Sequence, residues 1–304
     1  MANPLLTSSL DLANHTASGI WQKNIKSGII SQLTPDDPQI MVGSTDFFTF
    51  TSTPKAELVG EGANKSSMDT APVKKTSKTY KVQITKRLSD EVRFADEDYR
   101  LGLMEALAGD IAKGVSRAID LVTIHGINPL TGEVAGGVVD YITKSGNGTV
   151  INSTSATPEV DLDAAAAALQ GNGYAATGIA LDPVYAGVLA RTKKTNGDRV
   201  FPELGLGFNV DRIAGIQAAV SNTVSGSTEM GLATGVGGIM ADWDALKWGI
   251  ARNVPLHLIE YGDPDGAGDL QRTNEIAIRA EVYFGFAILD DKAFAIIKQA
   301  QVSA

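Results

Sequence analysis

The residues able to do chemistry in this chain are few and scattered. Its three histidines, His15, His125 and His257, lie too far apart for the spacing that aims two imidazoles at one metal ion. Each reads as a structural or surface histidine. Neither Gly-x-Ser-x-Gly nor Gly-x-x-x-x-Gly-Lys-Ser/Thr occurs, so nucleophile-elbow and P-loop chemistry have no carrier. The run Gly231-Leu232-Ala233-Thr234-Gly235-Val236-Gly237-Gly238 matches a phosphate loop in glycine content alone. No strand clearly leads into it and no helix cap follows, so it reads as a loop. Asp263, Asp265 and Asp269 are oxygen donors suited to a hard cation, but the Gly and Glu that complete a calcium loop are missing. A solvated turn is the better reading. Glu203 and Asp211 flank Gly205-Leu206-Gly207 without forming an acid/base pair. With zero cysteines, disulfides and thiolate zinc sites are excluded. No catalytic, cofactor or metal site is expected, and the chain does not read as an enzyme.

The elements around these residues are more informative. Leu101, Met104, Ala108, Ile111, Val115, Ile119 and Val122 recur in steps of three or four, the spacing of one helix face. A helix from about Asp96 to Ile124 is roughly 40 Å long at 1.5 Å per residue. It stops at His125-Gly126-Ile127-Asn128-Pro129, where Gly and Pro both end helices. Such a helix needs a partner along its whole length.

Upstream, residues 46–59 and 78–86 read as two strands. Phe48 and Phe50 alternate with Thr49 and Thr51, and Tyr80, Val82 and Ile84 alternate with threonine, lysine and glutamine. Their connection, Gly60 to Ser77, is polar. A two-stranded ribbon is not stable alone, so it must fold onto its own core or onto a neighbour. Charge favours the neighbour. Glu61 to Lys81 holds five lysines (Lys65, Lys74, Lys75, Lys78 and Lys81) against two acids, a net +3. Asp90 to Asp98 holds Asp90, Glu91, Asp96, Glu97 and Asp98 against Arg93, a net −4. Acids at a helix start also complement its dipole. The expectation is that the lysines of one subunit's hairpin reach the acidic helix start of another.

Residues 1–45 are polar. Within them Trp21, Ile25, Ile29 and Leu33 sit four apart, a short amphipathic helix broken by Pro35-Asp36-Asp37-Pro38. A helix of that size is marginal in water and is expected to rest on its own chain or on another subunit. Residues 150–270 read as a separate α/β unit. Asp161 is expected to cap one helix and Asp182-Pro183 to open the next. Short strands are expected at Gly178–Leu181, Arg212–Val220 and Gly238–Met240. Ala277 to Leu289 and Lys292 to Ile297 form the closing strands.

At 304 residues and 43% hydrophobic, the chain can bury a large core. A net charge of −9 argues against a general grip on nucleic acid, though a protein that encloses nucleic acid without holding it can be acidic. No apolar run approaches the roughly 20 residues of a membrane helix, and the N-terminus does not read as a secretion signal.

In this order the residues resemble a known family. A polar arm is followed by a hairpin with Gly60-Glu61-Gly62 and a long helix closing on Gly126-x-x-Pro129-x-x-Gly132. Then come Asp182-Pro183, Leu189 and Asn196-Gly197, and Leu206-Gly207 ahead of Ile213-Ala214-Gly215-Ile216. Gly238-Ile239-Met240-Ala241-Asp242-Trp243 follows, and Arg279-x-x-x-x-Phe284-Gly285 leads to Asp290-x-x-Ala293-Phe294. The whole is similar to the major capsid proteins of tailed bacteriophages, the Hong Kong 97-type capsid fold shared with encapsulins.

The resemblance implies an α+β fold in four parts: an N-terminal arm (1–45), an extended β-hairpin loop (46–86), a peripheral domain with the long spine helix (87–149 and 270–304), and an axial domain (150–270). It implies self-assembly through pentamers and hexamers into an icosahedral head shell around double-stranded DNA held without sequence-specific contacts. It also implies a portal protein at one vertex, a decoration protein as an optional partner, no membrane, and a place in the virion after assembly in the host cytoplasm. Trp21 in the arm and Lys65 near the hairpin tip join the lysines and acids above as expected assembly contacts.

Some members of the family join subunits by a Lys–Asn isopeptide bond, for which Lys65 would be the lysine. Ala277 to Ala304 contains no asparagine, so that crosslink is not expected. About 45 residues precede the hairpin, too few for a built-in scaffolding segment, so a separate scaffolding protein is expected. Two other readings stand beside this one: an encapsulin-type nanocompartment shell, and an α/β enzyme with an unrecognised site.

Overall fold

The computed structural model describes residues 28–37, 40–50, 55–67, 72–94, 97–153, 158–205, 210–227 and 234–299. Two sheets and one long helix organise them. The first sheet has four antiparallel strands in the order β1 (Ser44–Thr49), β2 (Val73–Ser89), β9 (Glu275–Ile288) and β8 (Leu246–Ile259). The second has six strands in the order β3 (Thr149–Ser153), β10 (Phe294–Gln299), β7 (Val236–Ala241), β4 (Gly178–Leu181), β6 (Ile216–Val220) and β5 (Arg212–Ile213).

The long helix is α2, Glu97–His125, within a residue of its expected bounds. Ile111, Val115, Ile119 and Val122 face the main core, where they meet Ile276, Ile278, Ala280 and Val282 of β9. On β9 the even-numbered residues from Ile276 to Ile288 supply this apolar face, as the two-residue period of a strand requires. Tyr80, Val82 and Ile84 of β2 pack against the same core, so the root of the hairpin sits on its own chain. α2 ends where Gly126 takes φ +67°, and its N–H still donates to Val122 O at 3.0 Å. A Cβ there would lie 2.4 Å from the Tyr141 ring, so only glycine fits both the turn and the contact. Gly132, at φ +72°, then closes the tight loop in which its N–H donates to Asn128 O at 2.8 Å.

The six-stranded sheet is covered on both faces. Ala180, Ile239, Ala241 and Ile296 face the main core. Their neighbours Ile179, Leu181, Met240, Ala295 and Ile297 face a second core, built with α3 (Pro158–Gly171) and α4 (Pro183–Arg191). Asp182 caps α4 as expected: its carboxylate accepts from Val184 N at 2.8 Å, with Pro183 in the first turn. Asp161 does not cap α3. The helix already runs from Pro158, and Asp161 is buried in its first turn, accepting from the Ser153 hydroxyl.

The sheets do not follow the expected boundaries. Strand 246–259, assigned to the 150–270 unit, pairs with β9 in the four-stranded sheet. Strand 294–299, assigned with residues 270–304 to the other unit, lies inside the six-stranded sheet between β3 and β7. Sequence proximity misled here because the turn at Asp290–Ala293 carries the chain from one sheet to the other.

The expected helix through Trp21, Ile25, Ile29 and Leu33 also differs. Trp21 and Ile25 lie outside the described residues. The described helix is one turn, α1 (Ile30–Leu33), with Ile29 and Leu33 buried. A helix continuing upstream would give the N–H groups of Ile29 and Ile30 to carbonyls four residues back. Instead both go to the carboxylate of Asp120 on α2, at 2.8 and 3.2 Å. After α1 the chain runs along β8: Asp37 N donates to Trp248 O at 2.8 Å and Trp248 Nε1 to Thr34 O at 3.0 Å. A Cβ at Gly249 would meet Asp37 O at 2.4 Å, which makes glycine necessary there. Residues 55–59, expected as part of the first strand, belong to no strand.

Candidate intersubunit interface

β1 and the first residues of β2, Val73 to Ser77, form a two-stranded ribbon beyond the stretch of β2 that pairs with β9. Its register pairs Phe48 with Lys74, Asp46 with Thr76 and Ser44 with Lys78. Directly opposed residues of an antiparallel pair share a face. One face therefore carries Ser44, Asp46, Phe48, Lys74, Thr76 and Lys78, with Phe50 next in line. Phe48 and Phe50 are 65% and 64% exposed, and Leu58 in the connection is fully so. Two exposed aromatics two residues apart, flanked by lysines, form an apolar and basic strip on a sheet edge, the kind of edge a folded chain normally keeps covered.

The lysines themselves are partly engaged. Lys74 pairs with Asp46 across the ribbon at 2.8 Å, Lys75 with Asp291 at 3.9 Å, and Lys81 with Glu281 at 2.9 Å. The net +3 counted from sequence is thus largely balanced in place. Acids brought near by pairing with β1 and β9 are invisible to a count along the chain. Lys65 and Lys78 form no ion pair among the described residues. Asp90 and Glu91 open a 3-10 turn at the foot of β2, where Asp90 N donates to Asn274 O at 2.9 Å. Glu97 and Asp98 lie in the first turn of α2, and Asp96 is outside the described residues. Asp90 and Glu91 sit at the root of the hairpin and Lys74, Lys75, Lys78 and Lys81 along its length.

Two polar clusters that the sequence did not reveal hold this framework. At the end of β2, Arg87 is buried, with its side chain 3% exposed. Its guanidinium pairs with Asp263, Asp265 and Glu275 and donates to Gly268 O at 2.8 Å. The hydrogen bond from Arg87 holds the Asp265 carboxyl below its ordinary range. Asp263 and Asp265 lie in an exposed turn, and they are engaged there. They grip an arginine, and Asp269 caps the short helix α5 (Leu270–Thr273) by accepting from Gln271 N at 2.8 Å.

The second cluster lies along α2. Asp120 accepts from Ile29, Ile30 and, at 3.0 Å, from the Thr223 hydroxyl. Complete burial pushes its pKa up to about 6, against the pull of those hydrogen bonds. His125 Nε2 lies 2.9 Å from Val224 O and 3.2 Å from Thr223 O, so it carries the proton and donates. Burial pushes His125 down to about 4. Arg117 donates to Asn222 Oδ1. Three residues of the helix thus pin the 221–226 loop. A carboxylate within an otherwise apolar helix end, as at Asp120, was the available signal.

No catalytic grouping appears among the described residues. His125 is structural, His257 is exposed on β8, and His15 lies outside the described residues. Val236 to Gly238 of the glycine-rich run belong to β7, and 231–233 are outside the described residues. Glu203 and Asp211 contribute backbone carbonyls to turns, accepting from Gly205 and Ala218. No His/Cys/Asp/Glu group among the described residues is placed to hold a metal ion. No described helix is long and apolar enough to cross a membrane.

Comparison with known proteins gives a consistent result. A family model described as the phage capsid family matches residues 12–299. A solved structure from Mycobacterium phage Ogopogo is 38% identical, with a TM-score of 0.84 over 97% of this chain and 99% of that one. One from Gordonia phage Cozz is 29% identical, with a TM-score of 0.79 over 97% and 93%. The capsid of an empty GTA particle shares the fold at 15% identity, with a TM-score of 0.63 over 95% of each chain. No curated protein matches.

Proposed function

Because this chain belongs to the phage capsid family, we propose a division of labour for its parts within the head shell of a tailed phage. The chain is a major capsid protein with the Hong Kong 97-type fold, a structural component of the virion that assembles with its own copies. The encapsulin alternative is not favoured, since the matching family and the similar structures are those of phages.

In our reading the four-stranded sheet and α2 form the peripheral unit, now including strand 246–259. The six-stranded sheet with α3 and α4 forms the axial unit, now including strand 294–299. The β1–β2 ribbon is the extended loop. It crosses onto a neighbouring subunit, with Phe48 and Phe50 as its apolar contact and Lys65 and Lys78 as its free charges. The observation that carries this is the exposed aromatic pair on a ribbon edge, an apolar patch that suits the surface of another subunit. Around the shell, the expected partners are a separate scaffolding protein, a portal protein at one vertex, any decoration protein, and double-stranded DNA. The acidic balance, net −9, suits a wall along which DNA slides.

Negative-stain imaging of the overexpressed protein, with and without the products of neighbouring genes, tests the reading. Closed shells that disappear in the Phe48→Ser/Phe50→Ser variant support it. Shells unaffected by that change remove the ribbon from the contact.

A further inference from the structure

A groove of about 380 Å³ runs between α2 and strands β8 and β9. Its floor on α2 is the row Ala108, Ala112 and Ser116, four residues apart and so stacked along one helix face, ending at Asp120. Its walls are apolar, from Ile111 and Val115 on the helix to Ile250 and Leu256 on β8. Ile250 and Leu256 are 43% and 48% exposed, large aliphatic side chains with one flank uncovered.

The described chain enters at this groove. Gly28 lines it, and a Cβ on Gly28 would lie 3.0 Å from Asp120 Oδ1 and 3.2 Å from Ser116 O. The backbone at residue 28 is therefore pressed against the end of the floor. Asp120 takes the N–H groups of Ile29 and Ile30, so the described chain begins with its backbone held at the end of the groove. Going back from there, the sequence supplies Ile25 and Trp21, separated by polar Gln22, Lys23 and Asn24.

We propose that residues 21–25 of the same chain fill this groove, Ile25 over Ala112 and Trp21 over Ala108. The reach agrees. Ala112 lies about 6 Å and Ala108 about 12 Å beyond Ser116, at 1.5 Å per residue of helix. Ile25 is three residues from Gly28 and Trp21 seven, spans of at most about 10 and 23 Å at roughly 3.3 Å per residue. A floor of small side chains between aliphatic walls takes a bulky apolar residue without displacing anything. The arm is thereby anchored on its own subunit for its last turns, and only residues before Trp21 are free to reach a neighbour. This goes beyond the assembly reading and does not rest on it.

The absence of native cysteine makes the test direct. The double variant Ile25→Cys/Ala112→Cys is oxidised as full-length unassembled protein and run on a non-reducing gel. A single crosslinked band at monomer size, released by reductant, is the expected result. A dimer or ladder means that a second copy's arm occupies the groove, and no crosslink means that this segment does not lie there. Either overturns the proposal. If the double variant misfolds, the tryptophan emission of the wild type minus that of Trp21→Phe decides. A blue-shifted difference spectrum supports docking, and one at the position of free tryptophan refutes it.

Discussion

Arg87 Nη1 donates to Glu275 Oε2 at 3.0 Å across the β2–β9 pair, and both residues are buried. The same guanidinium reaches forward to Asp263 and Asp265, so one arginine ties the hairpin root to the 263–268 loop. Arg87→Met leaves Glu275 buried without its counter-charge, which costs about 3–5 kcal/mol. Arg87→Lys recovers little, because an ammonium cannot match the forked contacts. Denaturant unfolding of the two variants checks both statements.

The pH profile of stability carries two opposed terms. Asp120 has its pKa raised to about 6 from 3.8, so its favourable contribution is full below pH 3.8 and is lost as pH rises to about 6. His125 has its pKa lowered to about 4 from 6.5, so its contribution is full above pH 6.5 and is lost as pH falls to about 4. Each spans about 3 kcal/mol at 1.36 kcal/mol per pKa unit. The wild type is expected to be nearly flat from pH 4 to 6. Asp120→Asn loses stability toward pH 4, and His125→Gln loses it toward pH 6. Unfolding curves at pH 4, 5, 6 and 7 read the slopes, and parallel profiles for all three proteins would refute the assignment.

Reversing Lys74, Lys75 and Lys78 to Glu separates folding from assembly. The Lys74–Asp46 pair is exposed, so its loss costs the subunit less than about 1 kcal/mol. The chain is expected to unfold at nearly the wild-type denaturant midpoint and to yield no closed shells by negative stain. Normal shells would show that these lysines face no acidic neighbour.

Gly126→Ala tests the end of the spine helix. The substitution places a side chain at φ +67° and against the Tyr141 ring. Left-handed backbone costs about 1–2 kcal/mol and overpacking about 1–3 more. Thermal unfolding should show a loss of about 2–5 kcal/mol. Pairing it with Tyr141→Ala is expected to relieve the clash but not the backbone term.

Much of the architecture was legible in one dimension because it is periodic. The core-facing positions Met104, Ile111, Val115, Ile119 and Val122 of α2, its stop at Gly126, the alternation in β2 and β9 and the Asp182-Pro183 cap follow local rules. They act over a few residues whatever the rest of the chain does. The family resemblance drew on the same local marks and their order.

What only the tertiary structure decided is which distant segments meet. Strand 246–259 joined β9 and strand 294–299 joined β7. Lys74 and Lys75 found acids in their own chain, and Asp263 and Asp265, in an exposed loop, became the clasp of Arg87. Asp120, 91 positions from Ile29, decided where the arm begins its helix. Such pairings rest on long-range closure, in which a buried charge takes whichever partners the packed backbone brings to it. No spacing along the chain encodes that geometry, because burial itself exists only once the core has formed.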